Sequence, residues 1–298
     1  MLGLFKQERK NVALVLSCGG ARGLAHIGAI DSLLAHGYNI TSVAGTSMGA
    51  LVGGIFASGH LDDYKRWMES IDRKKVRELT DFSLSYNHFI KGVRIIEELK
   101  KIVPDCKIED LPIPYCAVAT DWVSGREVTF TKGSLWGAIR ASISEPVFFK
   151  PVKKGGRILI DGGITNPYPL NRVRRSKQDL LVGVNVSGHD YEGTYLRSQL
   201  AEQMQLRNNK VLSLLSKLMP EGVDPTLNYY SLINRTLSIS IWHNARRAAV
   251  ITPPDIGVEI PMRRYGGNDY NKYSYIRKIG ETKMNSALDK FLSERTLF

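Results

Sequence analysis

Asn39-Ile40-Thr41-Ser42-Val43-Ala44-Gly45-Thr46-Ser47-Met48-Gly49-Ala50 is the stretch on which the fold turns. Residues 40–44 are short and rich in β-branched and apolar side chains, which predicts a buried strand. Gly45 to Gly49 makes a turn. Ala50, Gly53, Gly54 and Ala57 then predict a small-residue helix. The same order stands upstream. Residues 12–17 are an apolar run, and the glycine cluster Gly19, Gly20 and Gly23 follows it. Leu24, Ile27, Leu33 and Leu34 then recur at helical spacing up to Gly37, a residue suited to a helix C-cap. Two strand–glycine turn–helix units in series call for a parallel sheet, because parallel strands need a crossover that a helix supplies.

Outward from this core, residues 62–105 read as mostly helical, looser near 81–87. Residues 115–121 and 126–131 alternate around Ser124-Gly125, which predicts a hairpin. A short helix fits 134–142. Strands fit 157–160, 179–186 and 256–260. Helices fit 196–218, 227–249 and 276–292. No repeat, low-complexity tract or Pro-rich linker interrupts the chain. The expectation is one domain over 1–298, with a tail at 1–11, an α/β core at 12–190 and a mainly helical part at 191–298.

Composition excludes several classes. Of 298 residues, 43% are hydrophobic and 23% charged, an ordinary globular balance rather than a disordered or collagen-like one. No apolar run approaches the roughly 20 residues of a membrane span. The first ten residues lack the apolar stretch of a secretory signal. Cys18, Cys106 and Cys116 form neither a disulfide framework nor a metal-ligand pattern, so free thiols in a reducing, cytoplasmic setting are expected. No metal or cofactor is indicated. The chain carries 41 Lys and Arg against 29 Asp and Glu, a net charge of +12. Much of the excess lies in one window: Lys150, Lys153, Lys154, Arg157, Arg172, Arg174, Arg175 and Lys177 face a single acid, Asp161. Such a window is a solvated face or a contact for an anionic membrane. Nucleic acid is set aside because no reading module is present.

Three motifs carry chemistry. Gly45-Thr46-Ser47-Met48-Gly49 fits G-x-S-x-G between strand and helix, the setting of a nucleophile elbow. Cys18-Gly19-Gly20-Ala21-Arg22-Gly23 is neither a dinucleotide fingerprint nor a phosphate loop. Its N–H groups suit an anion nest, and a parallel neighbour would set that nest beside Ser47 as an oxyanion hole. Arg22 would hold the loop or meet a lipid phosphate. Asp161-Gly162-Gly163 ends a strand, where a carboxylate can meet Ser47. Taken singly, each also reads as a plain turn.

Together, in this order, they resemble the patatin-like phospholipase family, whose pattern is an oxyanion loop G-G-G-x-R-G, a G-x-S-x-G elbow and a D-G-G/A motif. An A-S-x-x-x-P block is matched by Ala141-Ser142-Ile143-Ser144-Glu145-Pro146. Cys18 departs from the pattern, standing at the loop's first glycine. The resemblance runs from about Val12 past Gly280. It implies a three-layer α/β/α fold with a mainly parallel central sheet and a helical C-terminal part. It implies lipid acyl-ester hydrolysis by a Ser47–Asp161 dyad through an acyl-enzyme, with oxyanion donors from Gly19, Gly20 and Ala21 beside Arg22. The implied partners are a lipid or acyl-ester substrate and an anionic membrane at the periphery, with oligomeric state left open, a homodimer included. Two other readings stand beside it. One is an α/β-hydrolase with a Ser47–Asp161–His189 triad, or His243 in the histidine's place. The other is a non-catalytic scaffold that binds lipid or a partner. The helix at 196–218, continuing to about 250, would be lid, docking element, interface or core. Tyr265, Tyr270, Tyr273 and Tyr275 would sit at a lipid interface or in a wet loop.

Overall fold

The computed structural model describes residues 11–71, 93–146, 149–189, 229–262 and 269–296. Five strands run parallel: β1 (Asn11–Leu16), β2 (Asn39–Thr46), β3 (Tyr115–Asp121), β7 (Leu180–Gly188) and β8 (Ile256–Pro261). Three more, β4 (Glu127–Phe130), β5 (Val152–Lys154) and β6 (Arg157–Asp161), join antiparallel. Hydrogen-bonded neighbours run β5-β6-β3-β2-β1-β7-β8, with β6 and β2 end to end along one side of β3 and β4 along the other. The helices are α1 (Ala25–Ala35), α2 (Met48–Ala57), α3 (Leu61–Glu69), α4 (Val93–Ile102), α5 (Leu135–Ser142), α6 (Tyr229–Ile251) and α7 (Tyr273–Thr296).

Strand β1 shows why the sheet sits between two layers. Val12, Leu14 and Leu16 enter the main core with residues of α1, α2, α3, α4, α5 and α7. Val15 turns to the other face and packs with Tyr168, Leu170, Leu181 and Ala245 of α6. A central strand covered on both faces has no polar alternation, as its sequence shows. The C-terminal part completes this core rather than standing apart. β8 extends the sheet, and α7 lies on α1 so closely that a Cβ on Gly280 would come within 1.9 Å of the Ala25 carbonyl.

Most predicted elements are present. The hairpin turns at Gly125, whose φ is 66°. The chain leaves α1 through Gly37 at φ 75°. Some expectations are corrected. Residues 152–154 form a strand inside the basic window, where none was expected. Strand β6 is antiparallel, so Asp161 does not stand at the carboxyl end of a parallel strand. The last helix begins at Tyr273 and reaches Thr296. The predicted helix at 196–218 and Tyr265 lie outside the described residues. Among the described residues no helix is long and apolar enough to cross a membrane.

Candidate active site

The sheet register brings Ser47 and Asp161 together. Along one side of β3, Val118 pairs with Thr46, the last residue of β2. The next residue, Ala119, pairs on that side with Asp161, the last residue of β6. The opposite side of both is taken by β4. β2 and β6 therefore meet head to head, and the residues at their meeting ends are the serine and the aspartate. Ser47 Oγ donates to Asp161 Oδ2 at 2.6 Å.

The elbow is held from three directions. Ser47 has φ 55° and is the only non-glycine residue with positive φ among the described residues. That conformation costs roughly 1–3 kcal/mol and persists only where the surroundings impose it. Gly49 lets α2 meet β1, since a Cβ there would sit 2.2 Å from the Leu16 carbonyl. Ser142 fixes the peptide: its Oγ accepts from Ser47 N–H at 2.9 Å and donates to the Val118 carbonyl at 2.6 Å. This gives the serine of the A-S-x-x-x-P block a role that spacing alone did not reveal.

Asp161 is 4% exposed. Its Oδ1 accepts from Gly163 N–H at 2.7 Å. Burial pushes its carboxyl up to about 6, against the lowering effect of its bonds from Ser47 and Gly163. A carboxylate in that range is ionised at neutral pH and is a better proton acceptor than a solvated one. Glu145 lies nearby, pushed up to about 7 by burial and by the charge of Asp161, with Arg22 acting in the opposite sense.

The glycine loop follows β1, the parallel neighbour of β2. Gly19 caps a short 3-10 turn over Gly20–Leu24, whose first N–H groups have no carbonyl within the turn. Arg22 Nε donates to the Val186 carbonyl at 3.0 Å, which ties this loop to β7. Cys18 fits without positive φ and is buried. Its N–H donates to the Pro167 carbonyl at 2.9 Å, and its carbonyl accepts from Ser187 Oγ at 2.9 Å. Burial and the Asp161 charge hold its thiol well above the usual value, so it packs rather than reacts. Below the loop, His26 is fully buried and donates from Nε2 to the Ser17 carbonyl at 2.9 Å. Burial lowers its pKa to about 4, so it is neutral.

An apolar cavity of about 800 Å³, mouth included, opens on Ser47. Its walls come from α2, α3, α4 and the end of α5, and Tyr270 and Phe149 line it too. Tyr273 is buried and Tyr275 exposed, so the tyrosines of this stretch have separate fates. His189 and His243 do not join the site. Both rings lie against Trp242, at 5.1 and 4.3 Å between centroids. His189 lines a separate polar cavity beside β8. The triad geometry is absent among the described residues.

A mainly parallel sheet between helices, with a strained serine bonded directly to a buried aspartate, defines a class of Ser–Asp α/β protein. The sequence profile described as "Patatin-like phospholipase" matches residues 14–173, more than half of the chain, and the chain belongs to that family. An uncharacterized NTE family protein of Mycobacterium tuberculosis is 44% identical over 179 residues, 60% of this chain and 50% of that one. A lysophospholipase NTE1 of Candida glabrata is 27% identical over 277 residues, 90% of this chain and 15% of that one. The chain thus spans about half the length of the mycobacterial relative. VipD of Legionella pneumophila shares the fold, with a TM-score of 0.55 at 16% identity, covering 95% of this chain and 67% of that one.

Proposed function

We propose that the chain hydrolyses carboxylic esters of lipid acyl chains through Ser47 and Asp161. The observation that carries this reading is the 2.6 Å bond to a buried carboxylate from the Oγ of Ser47, a residue that lines an apolar cavity. Ser47 Oγ attacks the ester carbonyl and its proton passes to Asp161 Oδ2. The carbonyl oxygen becomes an oxyanion, held by N–H groups of Gly19, Gly20 and Ala21, with Arg22 positioning the loop. As the tetrahedral intermediate collapses, the leaving alkoxide takes the proton and an acyl-enzyme remains. Water then adds by the same route and frees the fatty acid. The cavity would hold the acyl chain, whose burial supplies about 0.8 kcal/mol per methylene. The yeast relative's name, a lysophospholipase, supports a lipid with one acyl chain as the first substrate to try.

The reading is tested by Ser47→Ala against a panel of short and long acyl esters, lysophospholipids and diacyl phospholipids. The folded variant should lose hydrolysis of every ester that the wild type cleaves. Hydrolysis that survives the substitution would place the chemistry elsewhere.

A further inference from the structure

The β3–β4 and β5–β6 hairpins end side by side, and together they expose what soluble loops rarely expose. Trp122 is 65% and Val123 71% accessible. Neither is a stray side chain on a slack loop. Asp121 locks the turn, accepting from Val123 N–H at 3.2 Å and from Ser124 Oγ at 2.8 Å, and its own N–H donates to the Arg126 carbonyl at 2.9 Å. The neighbouring hairpin is tied on: Trp122 N–H donates to the Ile158 carbonyl at 2.8 Å. Ile158 is opposite Lys153, and Arg157 is opposite Lys154. A large apolar side chain held out on a rigid turn needs a reason.

The charges around it supply one. Residues 121–127 and 150–158 carry Arg126, Lys150, Lys153, Lys154 and Arg157, all exposed, against the acids Asp121 and Glu127. Both acids are engaged, Asp121 within its turn and Glu127 with Arg172 at 2.7 Å. The other half of the basic window is spent differently, with Arg172 on Glu127 and Arg175 on Asp255. Tryptophan on a turn that adjoins a lysine- and arginine-bearing hairpin suits the boundary of an anionic bilayer, where the indole enters and the cations meet phosphates. The position suits a lipid substrate. Trp122 lies three residues beyond Ala119, the partner of Asp161, or about 10 Å along the strand.

We propose that the paired hairpin tips dock the protein on anionic membranes, Trp122 and Val123 entering the interface and Lys153, Lys154 and Arg157 binding lipid phosphates. The need for a lipid surface rests on the acyl-hydrolase reading, but the docking is tested without turnover. Vesicles of ether-linked phosphatidylcholine, with or without ether-linked phosphatidylglycerol, contain no acyl ester to cleave. In co-sedimentation the protein should favour the phosphatidylglycerol vesicles and release as salt rises. Lys153→Glu with Arg157→Glu should weaken that binding by roughly tenfold or more, and Trp122→Ser by about tenfold. All variants should keep wild-type hydrolysis of a soluble short-chain ester. Equal binding to both vesicle types, or variants that bind as wild type does, overturns the proposal. Self-association that disappears in Trp122→Ser also overturns it, by showing the tip to be a contact between copies. Variant-sensitive docking by a chain that cleaves no ester would retain the surface and discard the hydrolase.

Discussion

Burial of Asp161 raises its carboxyl at a cost in stability. Its carboxyl is raised from 3.8 to about 6, so the folded chain holds that proton more tightly than the unfolded chain does. The sign follows: the group's contribution is most favourable below about 4 and is lost as pH climbs through about 6. At about 1.4 kcal/mol per pH unit, its ionisation costs on the order of 3 kcal/mol at neutral pH. Asn in its place would keep both bonds, accepting from Gly163 and donating to Ser47, with no charge to bury. Asp161→Asn should therefore abolish hydrolysis yet raise the unfolding free energy at pH 7 by about 1–3 kcal/mol, an advantage that vanishes by pH 4. Denaturant melts at the two pH values check it. His189→Ala and His243→Ala should retain most activity, because neither ring reaches the site. In the wild type, kcat/KM should fall on acidification through about 6, with Glu145 adding a second ionisation near 7 to the same coupled pair. Glu145→Gln should remove the upper step and leave the lower. That Ser47 and Asp161 would meet was legible in sequence, because elbow and turn glycines are local signals. Glu145 was not, because its meaning depends on burial and on a neighbour sixteen positions away.

At the scale of elements, the strand–turn–helix units near the N-terminus were plain from periodicity, and β1, α1, β2 and α2 stand where that pattern puts them. What stayed hidden was register. Nothing local in residues 157–161 says that they run antiparallel to β3 and stop head to head with β2. That pairing depends on the return path through α5, fixed by Ser142 between Ser47 N–H and the Val118 carbonyl. Ser142→Ala should cost about 1–3 kcal/mol, since it leaves a buried donor and acceptor without their partner. It should also lower kcat more than it raises KM, because the elbow and not the acyl cavity is loosened. Gly49→Ala should be harsher, as its Cβ would meet backbone of β1 rather than a movable side chain. Thermal melts beside kcat and KM for one soluble ester separate the two outcomes. A Ser142→Ala protein with normal kcat would show that the elbow holds its shape unaided.

Across the whole molecule, the cavity is assembled from distant stretches of chain: Leu51 of α2, Trp67 of α3, Ile95 and Leu99 of α4, Phe149, and Tyr270 just before α7. The four on helices look in sequence like ordinary core residues, while Phe149 and Tyr270 look like residues of connecting stretches. Only the completed fold shows that their shared space ends on Ser47. On the proposed acyl-hydrolase reading, a cavity bounded this way would act as a ruler for acyl length, because each methylene it admits is taken from water while the reacting carbonyl stays fixed at the elbow. Ile95 faces that space and is only partly buried, so it can change size with little strain on the core. Ile95→Trp should shorten the ruler. Excluding about four methylenes removes roughly 3 kcal/mol of transfer free energy, a loss of about a hundredfold in kcat/KM for long acyl esters. A butyrate ester, which has little acyl chain to bury, should be cleaved at the wild-type rate. Labelling of Ser47 by a small phosphonate should also be unchanged, since elbow, aspartate and glycine loop are untouched. The decisive quantity is the ratio of long-chain to short-chain kcat/KM. An unchanged ratio would mean that the acyl chain lies outside this cavity. A fall in both substrates together would mean that the indole had disturbed the site itself.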